Sequence, residues 1–171
     1  MDPFATLGMP ANFDVDLSVV EKTHRELSRA LHPDRYVASG ASERRAALGK
    51  AVEVNEAWRI VRDPIRRAEA LLELRGVDAG ETAEPKADPE FLMEMLEQRE
   101  ALADARHARD LPSVRRLAAL VEVRSRDAER EMAAGFAGGG PVPPLVAKLA
   151  ELRFYRRFLD EVSAIEDELA G

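Results

Sequence analysis

The sequence contains no cysteine, and this absence removes several kinds of chemistry at once. Without thiols the chain forms no disulfide, uses no thiolate nucleophile and ligates no metal cluster through sulfur. It also has no apolar run near the roughly 20 residues that span a bilayer, and its N-terminus, with Asp2 and no basic cluster, does not resemble a secretory signal. We therefore expect a cytoplasmic protein with no membrane partner.

An excess of positive charge is missing too. The chain of 171 residues has 25 Lys and Arg against 32 Asp and Glu, a net charge of -7. Residues 1–75 contain 12 of each sign, whereas residues 76–171 contain 13 basic and 20 acidic residues. Nucleic-acid binding depends on a basic field, so we predict no nucleic-acid partner. The uneven charge predicts that the two halves meet different partners.

The usual catalytic and metal-binding patterns are also missing. A di-iron helical bundle needs repeated Glu-x-x-His pairs, and Glu21 to His24 is the only one in the sequence. His24 and His32, with no cysteine nearby, match no metal-ligand spacing. No serine has the flanking glycines of a nucleophile elbow, and Gly138 to Gly140 lacks the lysine of a phosphate-binding loop. We expect no enzyme, no cofactor and no metal site.

The tripeptide His32-Pro33-Asp34 is the most informative feature that is present, because it separates two helical patterns. The first helix is predicted from Asp16 or Ser18 to about Leu31, with Ser18 and Glu21 spaced as a capping box. Pro33 disfavours a helical backbone at His32, so the helix ends there. A second helix is predicted to begin near Ala41.

The apolar spacing predicts that these two helices pair as an antiparallel hairpin. His24 falls within this apolar seam, and we interpret it as a partly exposed residue at its edge. The residues of the predicted seam are Val20, Leu27 and Leu31 on the first helix and Ala47, Ala51, Val54, Trp58 and Val61 on the second.

The outward face of the first helix carries Lys22, Arg25 and Arg29 at steps of three and four. This cationic stripe leads toward the turn, where His32 offers a donor and an acceptor and Asp34 can accept a bidentate hydrogen bond from an arginine. Solvated surface charges are one reading of the stripe, and a docking surface for an acidic partner is the other.

The basic helix, the His32-Pro33-Asp34 turn and Val54-Asn55-Glu56-Ala57-Trp58 together resemble a J-domain. J-domains stimulate ATP hydrolysis by DnaK-class chaperones. The chain also resembles the iron–sulfur co-chaperones of the HscB family, and this resemblance covers nearly its whole length. Because the chain lacks the paired-cysteine extension of some eukaryotic relatives, the resemblance favours the bacterial type of this family. It is carried further by Phe4, Leu7, Gly8, Pro10, Phe13 and Asp16, by Arg67-Ala68-Glu69 with Leu71 and Leu72, and by Phe91-Leu92-Met93-Glu94.

After the second long helix the sequence predicts one short helix, a linker and three further helices. Asp63-Pro64 ends the second long helix, a shorter one runs from Ile65 to Arg75, and residues 76–87 form a predicted linker. Asp88, Pro89 and Glu90 are typical of a helix start, and the three helices that follow run to about Arg109, from Pro112 to Phe136, and from Pro144 to Leu169. We predict an all-α fold with a J-domain hairpin (1–75), a linker (76–87) and a C-terminal three-helix bundle (88–171).

Five apolar residues, Phe91, Leu92, Met93, Met95 and Leu96, crowd the first helix of this bundle. One helical stripe cannot bury all five, so we expect either an exposed patch or burial against other parts of the chain. The resemblance implies that Leu92, Met93 and Leu96, with Phe154 in Leu152-Arg153-Phe154, bind the scaffold on which iron–sulfur clusters are built. Glu97 and Glu100 receive a secondary role, steering a basic scaffold surface; ordinary solvated acids are the alternative.

The sequence thus predicts an adaptor between two proteins. The chaperone surface comprises His32, Pro33, Asp34, Lys22, Arg25 and Arg29, and its expected partner is a DnaK-class, HscA-like ATPase. The expected client is an IscU-like scaffold; a weak homodimer stays open. Two rival hypotheses remain: a J-domain protein whose bundle has another client or dimerises, and a helical structural protein whose tripeptide is accidental.

Overall fold

The computed structural model describes residues 1–80 and 87–171, and within these ranges every regular element is helical. The chain divides into two compact units, Met1–Gly80 and Glu81–Gly171. The predicted all-α fold, with a helical hairpin followed by a three-helix bundle, is confirmed. Residues 81–86 of the predicted linker lie outside the described residues, so the linker stays a prediction.

Seven α-helices and one 3-10 helix make up the described chain. No helix in residues 1–80 or 87–171 combines the length and apolarity needed to cross a membrane. The helices are α1 (Pro3–Thr6), α2 (Leu17–Ala30), a 3-10 helix (Pro33–Tyr36), α3 (Ala41–Arg62), α4 (Pro64–Leu74), α5 (Pro89–His107), α6 (Leu111–Ala137) and α7 (Val142–Ala170).

The first unit is built on the pairing of α2 with α3, against which α1 and α4 also pack. The predicted seam is confirmed, because each of its members is buried or half-buried. These members are Val20, Leu27, Leu31, Ala47, Ala51, Val54, Trp58 and Val61.

The edge of the seam is polar. The Nε2 atom of His24 lies 2.8 Å from Oδ1 of Asn55, and its ring stacks on Trp58 with 4.4 Å between centroids. The guanidinium of Arg62 lies 4.3 Å from the centroid of the same indole. His24 is half-buried and already has a hydrogen-bond partner, which confirms its interpretation as a partly exposed edge residue.

The helix α2 starts at the first of the two predicted positions, Asp16, but its cap differs from the prediction. The predicted capping box of Ser18 and Glu21 is wrong, because Asp16 is the N-cap: its carboxylate accepts hydrogen bonds from the backbone N–H groups of Ser18 and Val19. Ser18 lies inside the first turn, where its hydroxyl donates to the same carboxylate at 2.6 Å. These hydrogen bonds, the one from the Ser18 hydroxyl above all, lower the pKa of Asp16.

A buried arginine connects α4 to the rest of the first unit. Arg67 donates from Nη1 to the backbone carbonyl of Val61 at 2.7 Å, and its guanidinium lies 4.7 Å from the centroid of the Phe13 ring. The end of α3, the segment before α2 and α4 therefore meet at one side chain. A charged group is tolerated in this buried position because it is hydrogen-bonded and faces an aromatic ring.

The second unit is an antiparallel bundle of α5, α6 and α7. The pairing of α6 with α7 follows from ion pairs that run in opposite order along the two helices, Lys148 with Glu131 at 2.7 Å and Arg115 with Glu166 at 3.5 Å. Each of the three helices contributes to one apolar core. Its fully buried side chains include Leu102, Val114, Val121, Met132, Leu149, Phe158 and Ile165.

The ends of these helices are defined by local hydrogen bonds. Asp88 caps α5 as predicted, and Asp110 caps α6 by accepting from the backbone and hydroxyl of Ser113, which lowers the pKa of Asp110. The helix α5 ends at His107, two residues before the prediction, because Arg109 adopts a left-handed φ of 54°. The Asp110 N–H then bonds to the Ala105 carbonyl, which completes a Schellman motif.

Candidate interaction surfaces

The His32-Pro33-Asp34 turn projects from the end of α2 into solvent. The side chains of His32 and Asp34 are 59% and 88% exposed. Pro33 opens the 3-10 helix and is itself exposed. All three residues are therefore accessible to a partner.

The orientation of the histidine ring is set within the turn. The Asp34 backbone N–H donates to Nδ1 of His32 at 3.3 Å, and Oδ2 of Asp34 lies 3.5 Å from the same nitrogen. Because Nδ1 accepts this hydrogen bond, the proton of the neutral ring lies on Nε2. The exposed imidazole thus presents an N–H donor outward, beside a carboxylate that can accept.

Tyr36 supports the turn, and sequence reasoning missed it. It ends the 3-10 helix, and its hydroxyl donates to the Ala30 carbonyl at 3.4 Å, back at the last residue of α2. The spacing of six residues across a turn gives no recognisable sequence pattern, so only the folded chain shows this link.

The cationic stripe lies on the exposed face of α2, as predicted. Lys22, Arg25 and Arg29 are all exposed. Arg25 pairs with Glu21 at 2.9 Å, with both side chains about 60% exposed. An exposed pair of this kind contributes about 0–1 kcal/mol, so it leaves the guanidinium free to exchange partners.

The apolar residues of α5 divide into two groups. Phe91 and Met95 are buried, whereas Leu92, Met93 and Leu96 are 42%, 59% and 52% exposed. Leu92 and Leu96 are four residues apart and so share one face of the helix. The alternative in which all five are buried is wrong for this chain; we call Leu92, Met93 and Leu96 the apolar patch.

Phe154 of α7 lies next to this end of α5. Its half-buried ring meets Phe91 edge-to-face, with 5.6 Å between centroids, and the Arg157 guanidinium lies 4.7 Å from its centroid. Its neighbours Leu152 and Arg153 are buried, so in Leu152-Arg153-Phe154 only the phenylalanine is partly accessible.

Glu97 and Glu100 are exposed on the same helix as the apolar patch. Neither forms an ion pair within residues 1–80 and 87–171. Both carboxylates are therefore available to a basic partner. His107, at the end of α5, is exposed as well. Nowhere in the described part of the chain do three or more His, Asp or Glu side chains form a group arranged to hold a metal ion.

Comparison with known proteins identifies the family. Residues 87–163 match a family model described as the HSCB C-terminal oligomerisation domain. The chain is 34% identical to a co-chaperone protein HscB homolog of Ralstonia nicotianae, over 97% of this chain and 94% of the relative. It is 33% identical to a homolog of the same name from Shewanella oneidensis, over 99% of both.

The chain belongs to the HscB co-chaperone family. Its structure is similar to the chaperone HscB from Vibrio cholerae, with a TM-score of 0.83 and 29% identity over 99% of each chain. The human co-chaperone protein HscB shares the fold, with a TM-score of 0.84 at 22% identity over 96% of this chain and 81% of that one. The N-terminal unit is accordingly a J-domain and the C-terminal unit the helical domain of an HscB-type co-chaperone.

Proposed function

We propose that this protein binds an iron–sulfur scaffold protein of the IscU type and delivers it to a DnaK-class chaperone of the HscA type, whose ATPase it stimulates. The observation that carries the proposal is the exposure of two separate surfaces, a polar turn in the J-domain and an apolar patch in the bundle. No helix or loop of the described residues covers either surface, and each surface suits a different kind of partner.

The J-domain surface suits an acidic and arginine-containing chaperone face. The stripe of Lys22, Arg25 and Arg29 attracts the partner, while the His32 N–H and the Asp34 carboxylate supply a donor and an acceptor at one fixed corner. Its contacts are charged and exposed, so binding weakens as salt rises. The protein needs no catalytic residue for this role, because the chaperone performs the hydrolysis.

The bundle surface suits a transient apolar contact. Leu92 and Leu96 supply branched side chains and Met93 an adaptable one, with Phe154 nearby and Glu97 and Glu100 as orienting charges. Holding the scaffold and the chaperone on one molecule raises the effective concentration of each for the other. Delivery also requires release, so we expect small interfaces at the low end of about 1,200–2,000 Å².

The chaperone half of the proposal is tested with His32→Gln. This variant should keep the helical circular dichroism and the melting temperature while abolishing stimulation of the chaperone ATPase. His107→Gln is the matched control, because it removes another exposed histidine, at the end of α5. Normal stimulation by His32→Gln would refute the role of the turn.

The client half is tested with the double variant Leu92→Ala, Phe154→Ala. Scaffold binding, measured by calorimetry, should weaken by roughly tenfold or more while the bundle stays folded. Leu120→Ala with Val123→Ala is the matched control, since both are exposed apolar residues of α6 outside the patch. Unchanged binding by the first variant, or equal losses by both, would place the client site elsewhere.

Self-association of the C-terminal domain is a second candidate function. It is favoured by the exposed apolar patch and by the name of the matched family model, which describes an oligomerisation domain. Sedimentation velocity between micromolar and millimolar concentration distinguishes the two. A monomer at all concentrations excludes it, whereas a dimer that dissociates with Leu96→Ala would support it.

A further inference from the structure

The surface of the C-terminal domain has a broad, open cavity of about 850 Å³ that the apolar patch does not account for. Its walls come from the first turns of α5, the second half of α6 and the first half of α7. Seven carboxylates and two cations line it, which leaves an excess of five negative charges.

The two cations of the cavity are already engaged. Nζ of Lys148 lies 2.7 Å from Glu131 and 3.0 Å from Glu151. Arg124 forms an ion pair with Glu94, and this hydrogen bond raises the pKa of the arginine. Asp127 of the lining is paired with Arg130, three residues along α6. The rest of the excess negative charge is not neutralised by these side chains.

Three lining carboxylates form no ion pair within the described residues. Asp88 accepts the Glu90 backbone N–H as the cap of α5, whereas Glu90 and Glu97, both on α5, have no cationic partner there. Like-charged groups gathered in one concave site raise each other's energy, and a cation that enters relieves this repulsion. The charge of the cavity thus selects a positively charged ligand.

Tyr155 adds a polar group to the cavity wall that is independent of the carboxylates. The residue is only 5% exposed and lines the cavity, with its ring edge-to-face against Phe91. Its hydroxyl makes no hydrogen bond to any described residue and its oxygen is open to the cavity, so it can bond to a group that enters there. Burial raises the pKa of Tyr155, so the phenol stays neutral and its oxygen can accept a hydrogen bond from an incoming donor.

The cavity is continuous with the apolar patch. Met93 belongs to the patch and also lines the cavity, and Glu97 lies one turn further along the same helix. A partner segment that places an apolar side chain on the patch would therefore bring a neighbouring side chain to the cavity.

We propose that this cavity binds a lysine or arginine side chain of the scaffold protein that occupies the apolar patch, with the Tyr155 hydroxyl accepting a hydrogen bond from it and Glu90 and Glu97 balancing its charge. The inference rests on the proposed scaffold binding and adds the chemistry of the segment that is recognised, an apolar residue next to a basic one. Either cation has several donors, so it can reach the phenol oxygen and a carboxylate together.

Tyr155→Phe tests the proposal because it removes only the unpartnered oxygen. In the full-length chain the melting temperature should stay the same or rise, since no internal hydrogen bond is lost, while calorimetric affinity for the scaffold should fall by roughly tenfold. Tyr36→Phe is the matched control: it changes the other tyrosine of the chain and should leave affinity unchanged. Glu90→Gln should also weaken binding, with a smaller salt dependence than the wild type.

The outcomes separate this inference from the function on which it rests. If Leu92→Ala with Phe154→Ala weakens scaffold binding but Tyr155→Phe and Glu90→Gln do not, the cavity proposal is overturned and the client function stands. If the wild type does not bind the scaffold, the client function fails, and titration with n-butylguanidinium followed by NMR decides the cavity. Saturable shifts confined to Glu90, Tyr155 and their neighbours, and lost in Tyr155→Phe, would support a cation site; small shifts spread over all acidic surfaces would overturn it.

Discussion

Two methionines of α5 provide a sharp test of how this helix divides its roles. Met93 and Met95 are two residues apart, yet Met93 is 59% exposed and Met95 only 3% exposed. We predict that alanine at the first position affects partner binding and hardly affects stability, and that alanine at the second does the reverse. Residue type and helix are the same, so only burial differs.

The expected magnitudes follow from that difference in burial. Replacing a fully buried methionine by alanine removes its transfer free energy and leaves a cavity, which together cost about 2–5 kcal/mol. For Met95 we expect about 3 kcal/mol, which lowers the melting temperature of a domain of this size by about 10–20 °C. Met93 keeps most of its surface in water in the folded chain, so its loss should cost about 0.5 kcal/mol or less.

The assay measures both properties on the same samples. Thermal circular dichroism gives stability, and calorimetric titration with the scaffold protein, at a temperature where both variants are folded, gives affinity. Met93→Ala should weaken binding by roughly threefold to tenfold, while folded Met95→Ala should bind like the wild type. Equal losses of melting temperature, or weaker binding only for Met95→Ala, would show that burial on α5 does not separate folding from recognition.

Three further predictions concern helix ends, close packing and pH. Arg109→Gly should stabilise the bundle in urea by about 1 kcal/mol, because glycine adopts the φ of 54° without steric cost; no gain would mean that the arginine is not strained. Gly135→Ala should lower the free energy of unfolding of the bundle by about 1–2 kcal/mol, since its Cβ would lie 2.8 Å from Cδ2 of buried Leu145. Gly49→Ala in α3 meets nothing within 4 Å and should raise the free energy of unfolding by about 0.5–1 kcal/mol. Changes of the same sign in both variants would contradict the packing argument. The lowered pKa of Asp110 contributes stability that is present above the pKa of the unfolded carboxyl and is lost as pH falls through the folded pKa. The melting temperature of Asp110→Asn should therefore depend less on pH, between about pH 6 and pH 2, than that of the wild type. Equal slopes of melting temperature against pH in the two proteins would refute this.

Features set by local chemistry could be predicted from the sequence. Pro33 ends α2 because it constrains its own φ and the backbone before it, and Asp88 with Pro89 starts α5 for the same kind of local reason. The crowding of apolar residues at 91–96 predicted that one stripe of α5 could not bury them all, since a helix buries only part of its circumference; exposure and burial against other parts of the chain both stayed open. These signals need no knowledge of the rest of the chain.

Features that depend on distant residues could not be predicted in this way. One local choice was also left open: the sequence offered both Asp16 and Ser18 as the start of α2, and the structure shows that Asp16 accepts the free N–H groups. The burial of Arg67 against Phe13 requires three elements to converge. The cavity around Tyr155 likewise exists only because three helices meet around it.

The two candidate surfaces also differ in how they affect the stability of the folded protein. The His32 turn is held by hydrogen bonds within itself and by Tyr36, so its exposed groups add no buried polar atoms and require no compensation from the core. The apolar patch instead leaves Leu92 and Leu96 in water, where they contribute little to the stability of the free protein. Their removal from water, and the hydrophobic free energy that accompanies it, occurs only when a partner covers the patch. The exposed leucines can therefore stabilise a complex with a partner, whereas buried Met95, on the same helix, stabilises the folded bundle instead.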